Sequence, residues 1–170
     1  MVNPAMRPLD KKGSKEDVRD AVAFWVDIDP KEGEDPATAR AAAIARLEAF
    51  ELRPSVIVDS GNGVQGIWLL RDGPYIGGDI PTAKEVERFN KYLEEQFGGD
   101  HCHNCDRILR LPFTINWPNA KKRAAGRRLC PCSRLPNRGS PQSEPQHGSV
   151  GVPWPAGRPS RLRHRQARSR

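Results

Sequence analysis

The sequence predicts an α+β domain of the ferredoxin-like or RNA-recognition-motif-like kind, an antiparallel sheet with both helices on one face. Three observations carry that expectation: several short apolar runs of strand character, two longer segments with apolar residues at helical spacing, and their order along the chain, strand, helix, strand, strand, helix, strand. That order is a split strand-helix-strand unit, and it leaves the second face of the sheet open to ligands.

Residues 1–20 are polar and aperiodic and read as a lead-in segment. Ala21 to Ile28 carries Val22, Phe24, Trp25, Val26 and Ile28, apolar on both faces, which predicts a strand with a central place in its sheet. Asp35 is placed to cap a helix that Pro36 opens, and Ala43, Ile44, Leu47 and Phe50 form its apolar stripe before Pro54 stops it. Ser55–Asp59 and Val64–Leu70 are strands joined by the glycine-rich turn Ser60–Gly63, a hairpin. Thr82 and Glu85 form a capping box for a second helix with Val86, Phe89, Leu93 and Phe97 at helical spacing, which Gly98 and Gly99 end. Arg107–Leu111 is the last expected strand. From Arg123 onward, proline, arginine, serine and glycine dominate with no apolar stripe, so residues 123–170 are expected to be a disordered basic tail beside a folded domain at 21–122.

The formal charge of +7 is unevenly placed. From Ala120 to the end there are 13 Lys and Arg against one acidic residue, which leaves 15 basic and 20 acidic residues in positions 1–119. The folded part is mildly acidic, and the basicity belongs to the tail, where a disordered end without function is the preferred reading over one that adds salt-sensitive affinity for nucleic acid. No apolar run approaches the length of a membrane helix and no apolar leader follows Met1, so no membrane partner is expected. Four cysteines, clustered in two pairs, are too few for a disulfide framework and fit a reducing, cytoplasmic setting. His101, Cys102, His103, Cys105, Cys130 and Cys132 would suffice for zinc, but their spacing is irregular and zinc is not expected.

Three segments carry chemistry. Asp27 and Asp29 lie i, i+2 at the end of the first strand, so both carboxylates share a face, where their repulsion would be relieved by a hard divalent cation; an acidic turn before Pro30 reads equally well. Ser60, Gly61, Asn62 and Gly63 form a tight loop that could direct N–H groups and a hydroxyl at an anion, with Gln65 beginning the next strand, although a plain hairpin needs the same glycines. Asp100 and Asp106 stand beside Arg107, Arg110, Lys121 and Lys122, acidic groups for a metal next to cations for phosphates, the division of labour that phosphoryl transfer calls for. Trp25 and Trp68 read as core, whereas Trp117, in a turn, fits either core or stacking on a base.

Taken together, FWVDIDP, SGNGVQGIW and DHCHNCDRILRLPFTINWPN resemble, in order and spacing, the motifs of archaeo-eukaryotic-type primases, in particular the RepB-like primase domain of plasmid, phage and integrated-element replication proteins, over about residues 20–122. The resemblance implies a primase-polymerase core that transfers nucleotides from nucleoside triphosphates on a single-stranded DNA template. It implies Mg2+ or Mn2+ held by Asp27 and Asp29 with a third carboxylate, Asp100 first and Asp106 second. By the same resemblance Ser60, Gly61, Asn62, Gly63 and Gln65 would hold the triphosphate, Arg107 and Arg110 would contact phosphate or template, and a replicative helicase would be a partner of an intact parent protein.

Three positions depart from the family pattern. Gln65 stands where many members have histidine, Phe113 stands where an L-P-G-T run has glycine, and only about twenty residues precede the first acidic motif, where a further module is expected. Residues 1–20 would then be the remnant of that front module and the tail out-of-frame coding sequence. The alternative to an enzyme is a truncated relative that binds nucleic acid without a working site. An unrelated RNA-binding sheet is disfavoured by Asp27 and Asp29, which would repel phosphate without metal.

Overall fold

A computed structural model describes residues 5–6, 13–124 and 128–136. The chain opens with β1 (Ala5–Met6), a short 3-10 turn at Lys15–Asp17 and β2 (Asp20–Ala21), which pairs antiparallel with β1. Then follow β3 (Ala23–Ile28), α1 (Pro36–Ala49), β4 (Val56–Asp59), β5 (Val64–Leu69) and α2 (Ile80–Phe97). The order β3, β5, β4 across the sheet is antiparallel throughout, with Asp27 opposite Gln65 and Gln65 opposite Val58. It is the expected α+β unit, with both helices on one face.

Alternation decides which face that is. Phe24, Val26 and Ile28 of β3, Ile57 of β4, and Val64 and Trp68 of β5 are buried together with Ala43 and Leu47 of α1 and Ala83, Val86, Leu93 and Phe97 of α2. The Trp68 ring lies 6.2 Å from Phe50 and 5.9 Å from Phe97, and Phe24 stacks on Phe89 at 5.0 Å. Such aromatic pairs add about 0.5–1.5 kcal/mol each beyond the area they bury. Trp25 and Trp68 are core residues, as expected.

Helix ends follow from their caps. Asp35 accepts a hydrogen bond from the Thr38 N–H and Pro36 opens α1. The second helix begins earlier than the Thr82–Glu85 box implies: Asp79 is its cap, accepting from both the N–H and the hydroxyl of Thr82, so Thr82 sits inside the first turn. Gly98 ends α2 in the left-handed conformation, φ 61°.

Three expectations are corrected. First, β3 is an edge strand of this sheet, hydrogen-bonded to β5 alone among the described strands. Its outer edge is closed by other means: the Trp25 N–H donates to Oδ1 of Asn90 from α2, and the Asp27 carbonyl accepts from the Asp100 N–H at 2.8 Å. Secondly, Arg107–Leu111 forms no strand beyond a single bridge residue at Leu109, because the ladder positions beside β3 are already taken and the Arg110 N–H turns to the Gln65 side chain. Thirdly, the tail expected to be disordered from 123 on is ordered in part. The described segment at 128–136 carries β7 (Cys130–Pro131) and β8 (Ser133–Arg134); β7 pairs with β6 (Ile115–Asn116), and β8 adds to β4 as the fourth strand of the sheet. A five-residue helix, α3 (Ala120–Ala124), crosses the expected boundary at 122. The apolar side chains Cys132 and Leu135 anchor this return. Residues 137–170 lie outside the described part, as do 1–4 and 7–12.

Candidate active site

The face of the sheet away from the helices is covered by the chain from Gly99 to Asn116, and a pocket of about 420 Å3 remains between them. Alternation along β3 puts Trp25 and Asp27 on this face, opposite the helix-facing Val26. Trp25 anchors the cover, its indole N–H donating to the Cys102 carbonyl at 2.8 Å. Asp27 lines the pocket, and Asp29, just past the strand, lines it too. Their i, i+2 spacing therefore does bring both carboxylates to one cavity.

Of the two candidates for a third carboxylate, Asp106 lines the pocket and Asp100 does not. Asp100 stands behind it, close enough to raise the Asp27 pKa, with its carboxylate 3.8 Å from the Lys31 ammonium. Burial is the main cause of that rise, which carries Asp27 up to about 6; the charges of Asp29 and then Asp100 add to it, and a hydrogen bond from Gln65 and the charge of Arg107 oppose it. Among the described residues no three His, Cys, Asp or Glu side chains are grouped so as to hold a metal ion by themselves.

Gln65 is buried at the centre of the site, hydrogen-bonded to Asp27 and accepting from the Arg110 N–H at 3.2 Å. Arg107 and Arg110 line the same pocket, so cations and carboxylates face one cavity. The Ser60–Gly63 loop behaves otherwise than expected. Ser60 and Asn62 line the pocket, but Gly61 and Gly63 do not. The Gly61 N–H donates to Asp59 and the Gly63 N–H to the Ser60 hydroxyl, so these groups bind the loop to itself. The glycines serve packing: a Cβ at Gly63 would collide with Asp29, and one at Gly61, where φ is 82°, with Cys130. Arg40 of α1 holds the loop from outside through the Gly61 carbonyl at 3.0 Å.

Three pocket residues escaped the sequence reading: Asn104, Ile108 and Asn116. Asn116 is buried and donates to the Ser60 carbonyl at 2.9 Å, which ties β6 to the loop. Its signal was present, an asparagine inside the TINWP run. Asn90, buried in α2, was also missed, although it interrupts an apolar helix face; besides accepting from Trp25 it donates to the His103 carbonyl.

All four cysteines are free. Burial pushes Cys102 up to about 11, helped by Asp27, and Cys105 up to about 12, helped by Glu87. The pair Asp27 and Asp29, beside cations in the pocket, suits a hard cation of the magnesium kind, which takes one or two carboxylates and completes its shell with water and substrate phosphate.

No protein-family model matches the chain, and no curated protein matches it in sequence. One solved structure to which the chain is similar is the AEP domain of the primase-polymerase (PrimPol) of cyanophage S-2L, at 16% identity and a TM-score of 0.49, covering 75% of this chain and 58% of that one. The chain thus spans less than two thirds of the length of that domain, and the likeness assigns no residue a role. Among the described residues no helix is long and apolar enough to cross a membrane.

Proposed function

We propose that this chain carries the nucleotidyl-transfer core of a RepB-like primase or primase-polymerase, taking nucleoside triphosphates and a single-stranded DNA template in the cytoplasm of its host. The observation that carries the reading is the one pocket that Asp27, Asp29 and Asp106 share with Arg107 and Arg110. Asp27 and Asp29 would hold Mg2+ or Mn2+, with Asp100 or Asp106 as the third carboxylate: Asp106 lines the pocket, and Asp100 is the one whose charge acts on Asp27. When bound, the metal would lower the barrier to attack by a primer 3'-hydroxyl and neutralise the pyrophosphate that leaves. The chain's own part is positioning. Gln65 orients the Asp27 carboxylate, Arg107 and Arg110 face the anionic end of the nucleotide, and Ser60 and Asn62 close the opposite wall.

The test is primer synthesis and primer extension on single-stranded DNA with Mg2+ or Mn2+ and either ribo- or deoxyribonucleotides. Product from the wild type that is lost in Asp27→Ala and in Asp29→Ala supports the enzyme. A second reading, a non-catalytic relative, is favoured by the loop amides of Gly61 and Gly63, which bond within the hairpin instead of facing the pocket. Wild-type protein that makes no product under any of these conditions supports it.

A further inference from the structure

The ribbon of β6 and β7 has two faces with opposite characters. Asn116 turns inward to the Ser60 carbonyl, so Ile115 and, at the next position of the same side, Trp117 turn outward. Ile115 is 66% and Trp117 63% exposed, and Phe113, whose N–H donates to the Cys132 carbonyl, is 85% exposed. Leu129, just before β7, is half exposed. An outward face built of large apolar and aromatic side chains is unusual on a surface that has a polar alternative.

The segment's own charge is of one sign. Residues 107–136 contain eight Lys and Arg and no Asp or Glu, and Lys121, Arg123, Arg128 and Arg134 are exposed. Flat rings set among cations match a polyanion that also offers flat apolar faces. Single-stranded nucleic acid is such a ligand, because its bases are not stacked inside a duplex and every base has a ring to offer. The same segment supplies Arg107, Arg110 and Asn116 to the pocket, Asn116 from the ribbon's inward side.

We propose that the outer face of the β6–β7 ribbon, with Trp117 at its centre, is a stacking platform for single-stranded nucleic acid. The proposal deepens the nucleotidyl-transfer reading, and rests on it only for taking that strand to be the template. Trp117 and Phe113 stack on bases, and the surrounding lysines and arginines contact phosphates.

The test measures binding of the full chain to a fluorescently labelled oligothymidylate and to an abasic oligomer of the same length, at low and high salt. Wild type is expected to prefer the base-bearing strand by about fivefold or more. Trp117→Ala erases that preference, Trp117→Phe keeps most of it, and both retain the salt-dependent affinity that the cations supply. Equal affinity of the wild type for the two oligomers, or an undiminished preference in Trp117→Ala, overturns the proposal. Concentration-dependent self-association that Trp117→Ala abolishes, without any base preference, also overturns it, since the face would then be covered by a second copy. Base preference is read without catalysis: the platform stands if no primer is made but the preference depends on Trp117, and it falls alone if primers are made and the preference does not.

Discussion

Val26 and Asn116 are both buried, by different means. Val26 sits in the sheet and helix layer, where apolar side chains from β3, β4, β5 and both helices exclude water together. Asn116 sits in the cover on the opposite face, in a two-residue strand, and its burial depends on a hydrogen bond to the Ser60 carbonyl. The layer is held by buried apolar area, whereas the cover buries only a few apolar side chains, Cys102, Cys105 and Leu109 among them, and depends more on directional bonds. The pocket lies at the seam, with Asp27 and Gln65 from the layer facing Asp106, Arg107 and Arg110 from the cover.

The comparison breaks most visibly at Trp68. Trp68→Ala removes the ring that packs on both Phe50 and Phe97, themselves 5.0 Å apart, and is expected to cost about 3–5 kcal/mol, read by urea unfolding. A loss well under that range would show that the layer does not depend on its aromatic cluster. Asp27 comes next. Its folded pKa of about 6 lies above its ordinary value of 3.8, so the native state holds the proton more tightly. Its stabilising contribution is complete below pH 4 and is lost as the pH rises through 6. Asp27→Asn should remove that slope, gaining up to about 3 kcal/mol relative to wild type between pH 4 and pH 7 without divalent cation. Parallel stability profiles for the two proteins across that range would mean that Asp27 is not crowded by burial and its neighbours.

Asn116→Ala probes the seam itself. The Ser60 carbonyl also faces the Cys132 thiol at 3.7 Å, so it is left only partly unsatisfied, and a cost of about 1–2 kcal/mol is expected. Faster hydrogen exchange confined to the Ser60–Gly63 loop and the ribbon, with α1 and α2 unchanged, would sharpen the division between layer and cover; uniform acceleration would erase it. The smallest effect is expected at Phe113, the one described non-glycine residue with positive φ, 66°. Phe113→Gly relieves that conformation and should raise stability by at most about 1 kcal/mol, since glycine also adds freedom to the unfolded chain. A lower urea midpoint for this variant would show that the phenylalanine ring is worth more than the strain.

The same division explains what the sequence disclosed. The layer was legible because it obeys periodic rules: alternation in FWVDI and VQGIW, helical spacing through Leu47 and Phe97, and caps at Asp35 and Gly98. The cover obeys none. RILRL has the composition of a strand, but its place beside β3 is filled by Asp100 and by the Asn90 side chain, a long-range choice that no local pattern encodes. The return at 128–136 was hidden by its prolines and arginines, since two strands of two residues carry no period. For the site, the spacing of Asp27 and Asp29 was enough to place both on one cavity. That Asp106 lines the pocket and Asp100 does not depends on the path of the chain after α2, and the inward turn of the Gly61 and Gly63 amides on the hydrogen bonds of the loop.

The addition of β8 to β4 has a consequence for solution behaviour. The Leu135 N–H donates to the Ile57 carbonyl at 2.9 Å, and Ser133 and Arg134 lie opposite Asp59 and Val58, so the return occupies main-chain groups of an apolar VIVD strand. A cut between Ala124 and Cys130 would strip that guard and present a bare sheet edge, a template on which a strand from another molecule can add. Proteolytic nicking in that stretch would then first appear as turbidity, before any change in chemistry.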